Sequence, residues 1–147
     1  MADVQLSPYL TVSNAADAIA FYVAAFGATE NFRLVDPADG RVGHAEISLG
    51  GITLMLSDEY PDFGALAPGT IGGSPVKFLL YVDDCDAAFT KAVAQGATET
   101  RPVKDQFHGA RQGSLVDPFG HGWTLSTRVE NVDASEMQAR WDQAMAG

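Results

Sequence analysis

Basic residues are scarce: nine Lys and Arg stand against nineteen Asp and Glu, for a formal charge of −10. No basic stripe runs along the chain, so neither a nucleic acid nor an anionic membrane surface is expected as a partner. There is one cysteine, Cys85, which cannot close a disulfide within the chain and reads as a small, half-buried residue. No apolar run approaches the ~20 residues of a membrane helix. The opening MADVQLSPYL lacks the basic stretch followed by an apolar one that marks a secretory signal. A soluble cytoplasmic protein is expected. Histidines are few as well: His44, His108 and His121. What the chain has in quantity is apolar surface. Of its 147 residues 46% are hydrophobic, enough for one compact domain or two small modules fused into one.

The chain repeats itself. Gly27-Ala28-Thr29-Glu30 reappears as Gly96-Ala97-Thr98-Glu99, and LTVSNAADAIAFYVAAFGATE aligns with LLYVDDCDAAFTKAVAQGATE upstream of it. Each copy begins with an apolar run that predicts a strand, 9–12 or 76–82. Asn14 with Asp17, and Asp83 with Asp86, then have the spacing of a helix N-cap and its third residue. Ile19, Phe21, Tyr22, Ala25 and Phe26 form the apolar face of the first helix. Ala88, Phe89, Ala92 and Val93 do so in the second, and Gly27 and Gly96 end the two helices. Three strand-like stretches follow in each copy, at 28–35, 42–49 and 52–57 and again at 98–103, 110–116 and 122–128. Gly50-Gly51 and Asp117-Pro118-Phe119-Gly120 are turn signals before the last strand of each set. The expected fold is α+β: residues 1–147 as a single domain of two tandem βαβββ modules, 5–58 and 76–130. A Gly/Pro-rich linker at 59–75 joins them, and a helix at 132–147 follows, capped by Asp133 and striped with Met137, Trp141, Ala144 and Met145. That stripe packs either on its own domain or on a second subunit.

Alternation assigns faces. Ala45, Ile47 and Leu49 share one side of their strand, and His44, Glu46 and Ser48 share the other. Ile52, Leu54 and Leu56 oppose Thr53, Met55 and Ser57. The apolar set belongs against the module's helix, and the mixed set faces away from it. If two sheets curl towards each other, the mixed faces line a cleft suited to a small organic ligand. Tyr9 alternates onto that face. Lys77 is a cation at its centre, either directed at a ligand, paired with Glu46, or simply exposed. Arg111 either clamps an anionic group or pairs with an acid of the chain. Trp123 alternates with Leu125 and is expected on the helix side. His121, after the DPFG turn, is expected at the rim of the sheet.

The paired modules, FYVAAFGA in the first helix and DPFGHGW near the end resemble the vicinal oxygen chelate superfamily: glyoxalase I, bleomycin-resistance proteins and extradiol dioxygenases. HAEISLGGITLMLSD and RQGSLVDPFGHGWTLSTRVE are similar to its PhnB-like branch. The resemblance spans about residues 5–130. It implies a U-shaped mixed sheet around a cavity, commonly in a homodimer. In metal-dependent members the first and last strands of each module carry His, Gln or Glu ligands, and the resemblance places those positions at Ser7, Met55, Lys77 and Thr124. None is a good ligand for a divalent cation. No metal or other cofactor is therefore expected, and these four residues are read with Tyr9 and Arg111 as a ligand-binding set. A divalent ion at His44 and Glu46, completed by His108 or Asp105, is the alternative. His44 and Glu46 are also the candidate catalytic pair, with the carboxylate orienting an imidazole of the kind that exchanges protons near neutral pH. Three readings follow: a metal-independent small-molecule-binding protein, a metal-dependent lyase, isomerase or dioxygenase of the same superfamily acting through His44 and Glu46, or a dimeric interaction module whose cleft is filled by its own side chains.

Overall fold

Each half of the chain begins with a strand that runs straight into a capped helix. In the computed structural model, which describes residues 3–147, β1 is Tyr9–Val12 and α1 is Ala15–Phe26, with the Asn14 side chain accepting from the Asp17 N–H. The second half repeats this with β5 (Lys77–Tyr81) and α3 (Cys85–Ala94). Here the cap is Asp84, accepting from the Ala87 N–H at 3.1 Å, and not Asp83. The Val82 N–H still bonds to the Ser126 carbonyl, so the chain needs one more residue to leave the sheet before the helix can start. Cys85, Phe89 and Ala92 form the buried stripe of α3. Val93 lies off that stripe and is 41% exposed, contrary to the expected apolar face.

Three antiparallel strands complete each module. β2 (Thr29–Val35), β3 (Val42–Leu49) and β4 (Ile52–Asp58) follow α1, while β6 (Thr98–Asp105), β7 (Ala110–Val116) and β8 (Gly122–Arg128) follow α3. The sheets have equivalent orders, β1-β4-β3-β2 and β5-β8-β7-β6, with β1 and β5 running parallel to the last strand of their module. Hydrogen bonding keeps them as two four-stranded sheets. Gly50 and Gly51 take φ of +61° and +82°, which permits the two-residue turn between β3 and β4. The segment between modules holds a 3-10 turn, Pro61–Phe63, and a short α2, Pro68–Ile71.

One apolar core spans both modules. Leu10, Val12, Ile47, Leu54 and Leu56 meet Ile19 and Tyr22 in the first, continuous with Phe89, Leu115, Trp123 and Leu125 in the second. The modules are clasped by a buried carboxylate. Asp117, 3% exposed, accepts from Tyr22 Oη at 2.5 Å and Trp123 Nε1 at 2.9 Å through one oxygen, and from the Phe119 and His121 N–H groups through the other. Burial, then the Asp117 charge, push the Tyr22 phenol well above the ordinary tyrosine range. His121 is buried in the same joint, its Nε2 3.0 Å from the Thr11 carbonyl oxygen, not at an open rim.

The last helix, α4 (Ala134–Ala146), is capped by Asp133 as its sequence predicts. None of its residues is buried. It is tied down by Trp141 against Phe107, ring centroids 5.7 Å apart, and by Arg140 bonding to the Phe107 carbonyl and Glu130. Met145 is exposed. Among the described residues no helix is long and apolar enough to cross a membrane.

Candidate functional site

Strand register decides which of the expected residues meet. β4 lies between β1 and β3, with Tyr9 opposite Met55 and Met55 opposite Glu46. On the far side of β3, Phe32 of β2 stands opposite Glu46. Residues directly opposite share a face, so Tyr9, Met55, Glu46 and Phe32 form one row on the side of the sheet away from α1. His44 sits one pleat along β3 and closes the group. Its Nε2 lies 2.8 Å from Glu46 Oε2, and its Nδ1 lies 2.8 Å from Tyr9 Oη.

The order of these groups fixes their polarity. A carboxylate only accepts, so the neutral imidazole carries its proton on Nε2 and presents a lone pair at Nδ1 to the Tyr9 hydroxyl. Glu46 thus holds His44, and His44 holds Tyr9. The pair is partly shielded, at 25% and 24% side-chain exposure, whereas Tyr9 is 53% exposed. The Phe32 ring lies 5.8 Å from the imidazole. The chain of hydrogen bonds therefore ends at an accessible phenol oxygen set among aromatic and thioether surface.

The remaining candidates are elsewhere. Ser7 precedes β1, and the residue opposite Met55 is Tyr9. Likewise Leu79, not Lys77, stands opposite Thr124. Lys77 shares the open face of the second sheet and does not pair with Glu46, whose partner is His44. Thr124 shares a hydrogen bond with Ser114 at 2.9 Å. Arg111 lies on the helix side, held by Asp86 at 2.7 Å and Asp105 at 3.3 Å. Those carboxylates raise its guanidinium above its ordinary range. Its parity with Leu115 is the sequence signal for that placement. Trp123 is buried on the helix side, as alternation predicts. Phe32 was not among the expected residues, although β2 reads as a strand and its alternation places Phe32 beside the imidazole face.

The sequence profile of the Glyoxalase/Bleomycin resistance protein/Dioxygenase superfamily matches residues 4–125. The chain belongs to that superfamily. An uncharacterized Mycobacterium tuberculosis protein is 44% identical over 137 residues, covering 91% of this chain and 80% of that one. An uncharacterized Arabidopsis thaliana protein is 32% identical over 120 residues, covering 76% and 70%. Among solved structures, a Pseudomonas aeruginosa protein superimposes with a TM-score of 0.71 at 25% identity, over 87% of this chain and all of that one. A fosfomycin resistance protein of Listeria monocytogenes shares the fold, with a TM-score of 0.65 at 14% identity over 93% and 99%.

Metal-dependent members of this superfamily raise the question of an ion. The described residues at the positions in question do not suit one. Met55 and Thr124 offer a thioether and a hydroxyl, weak donors for a hard divalent cation. His44 Nε2 is committed to Glu46. Among the described residues no three His, Cys, Asp or Glu side chains group as a cation site, so His108 and Asp105 do not complete one with His44 and Glu46.

Proposed function

We propose that this superfamily member, read as one of the PhnB-like branch, binds a small organic molecule without a metal. The site is the open face of the first sheet. The observation that carries this reading is the Glu46–His44–Tyr9 chain, ending at an exposed phenol beside Phe32 and Met55. Apolar and aromatic surface supplies contact area, while a few fixed polar groups set orientation, the usual division of labour in ligand sites. With Tyr9 donating to His44, its oxygen accepts from a ligand hydroxyl or amine. The proposal includes a homodimer. Leu6 and Tyr9 at the start of one module, and Leu79 and Tyr81 of the other, are exposed in the single chain. A second copy covers such surface and encloses the ligand.

The test is a thermal-shift and titration screen of aromatic alcohols and amines on the purified protein, repeated on Tyr9→Phe and Phe32→Ala. A ligand held by the wild type and weakened about tenfold in either variant supports the reading. No difference between the three proteins rejects it. A tightly held stoichiometric divalent ion on metal analysis overturns the metal-free reading, and a monomer in sedimentation equilibrium overturns the dimer.

The order phenol–imidazole–carboxylate favours a second reading, metal-independent proton transfer. A substrate O–H gives its proton to the Tyr9 oxygen while the Tyr9 proton passes to His44 Nδ1, leaving an imidazolium beside the Glu46 carboxylate. Turnover that survives Glu46→Gln and Tyr9→Phe eliminates this reading.

A further inference from the structure

Among the described residues five Lys and Arg lack an ion pair: four lie on the open face of the second sheet, and the fifth, Lys91, is on α3. Of nine Lys and Arg, Arg33, Arg41, Arg111 and Arg140 are held by carboxylates. Among the described residues, Lys77, Arg101, Lys104 and Arg128 have no carboxylate within ion-pair distance. Register places all four on the side away from α3. Lys77 stands opposite Gly122, Arg101 opposite Ser114, Lys104 opposite Gln112, and Arg128 opposite Ala110. No acid of these strands joins them: Glu99 stands opposite Leu115, and Asp105 opposite Arg111, on the helix side. In a chain whose acids outnumber its bases nineteen to nine, composition alone does not place four cations on one strand face with no acid of those strands among them.

Part of that face is recessed. Arg101 and Lys104 line a hollow of about 250 Å³ with Gln106, Gln112 and Ser114. Gln112 turns its carbonyl oxygen to Ser126 Oγ at 3.2 Å, and its amide N–H groups have no partner among the described residues. The hollow therefore presents positive charge, amide N–H and hydroxyl, with no carboxylate among its walls.

We propose that this hollow binds a small oxyanion, the carboxylate, phosphate or phosphonate group of a ligand. Arg101 supplies the two-pronged donor, Lys104 a point charge, and Gln112 and Ser114 the neutral donors. The site lies on the other module from the Tyr9–His44–Glu46 group and stands without the reading given above.

The experiment is calorimetric titration of the full-length protein, at fixed ionic strength in chloride, with inorganic phosphate and separately with oxalate. Saturable binding is expected, weakened at least about tenfold in the double variant Arg101→Gln/Lys104→Gln, as for the loss of charge-assisted hydrogen bonds. Lys91→Gln, which removes an unpaired cation from α3, should leave affinity unchanged. Tighter phosphate binding assigns the site to phosphoryl or phosphonyl groups, and tighter oxalate binding to carboxylates. The proposal is overturned if neither anion binds, if a double variant with native circular dichroism binds like the wild type, or if Lys91→Gln weakens binding as much.

Discussion

The two modules share one topology and put it to different uses. On the helix side they carry equivalent apolar residues, Leu54 and Leu56 in β4 against Trp123 and Leu125 in β8. On the open side the matching rows are Tyr9–Met55–Glu46 and Leu79–Thr124–Ser114, one with an aromatic and a carboxylate, the other with hydroxyls among cations. Their turns differ too. β3 and β4 are joined by Gly50-Gly51 alone, whereas Asp117 to His121 form a longer turn whose carboxylate grips α1 through Tyr22. The fold rests on the inward side chains and on one asymmetric clasp. The outward faces are left to carry chemistry.

The largest expected effect comes from breaking the clasp. Asp117→Ala strips the partner from the buried Tyr22 hydroxyl, the Trp123 N–H and two backbone N–H groups. Each such orphan costs about 1–3 kcal/mol, so a loss of about 3 kcal/mol or more is expected in urea denaturation. A loss below about 1 kcal/mol would mean that the modules hold together by apolar packing alone. Tyr22→Phe comes next, at about 1.5–3 kcal/mol for a hydrogen bond to a charged group. It also tests the sign of the titration. The folded phenol resists ionisation more than the unfolded one, so wild-type stability is fully present below the ordinary tyrosine pKa of about 10 and falls as pH rises beyond it. In Tyr22→Phe that alkaline slope should flatten. An unchanged slope would assign it to other tyrosines.

Much of this was legible in the sequence. The repeat, the alternation of β3 and β4, and the glycine turns are local patterns, and they led to two βαβββ modules. The assignment of His44 and Glu46 to one face needed only a period of two. What escaped is set by pairing between distant segments. Tyr9 reaches His44 because β1 inserts parallel to β4, which no local pattern specifies. Tyr22 and Asp117 lie in different modules, so DPFGHGW read as a turn and not as a joint. The placement of Arg111 was readable from its parity with Leu115, since a side chain two or four residues along a strand shares its face. The cap at Asp84 rather than Asp83 turned on a single sheet hydrogen bond after β5, beyond the resolution of a propensity argument.

A third effect sharpens the contrast between the turns. Gly51 has φ of +82°, where a Cβ is disfavoured by about 1–2 kcal/mol. A Cβ there meets nothing within 4 Å. Gly51→Ala is therefore expected to cost about 1 kcal/mol through backbone conformation alone. Gly120, at φ of +92°, is different: a Cβ there would lie 2.7 Å from the Pro68 side chain. Gly120→Ala combines the same strain with a clash against α2 and should cost more. Equal losses in the two variants would show that the second turn is no more constrained than the first.

The smallest effects on stability belong to the open faces, and they decide whether the division between inward and outward residues is sound. Glu46 and His44 are an ion-pair candidate near the surface, and such pairs contribute about 0–1 kcal/mol. Arg101 is exposed and has no partner among the described residues, so its removal leaves none of them unsatisfied. Glu46→Gln and Arg101→Gln are each expected to shift unfolding by about 0.5 kcal/mol or less, while Glu46→Gln alters organic-ligand binding and Arg101→Gln alters phosphate binding. A Glu46→Gln loss well above 1 kcal/mol in the urea transition would make the Tyr9–His44–Glu46 chain part of the scaffold. The first face would then be structural, and the two modules would differ in packing as well as in chemistry.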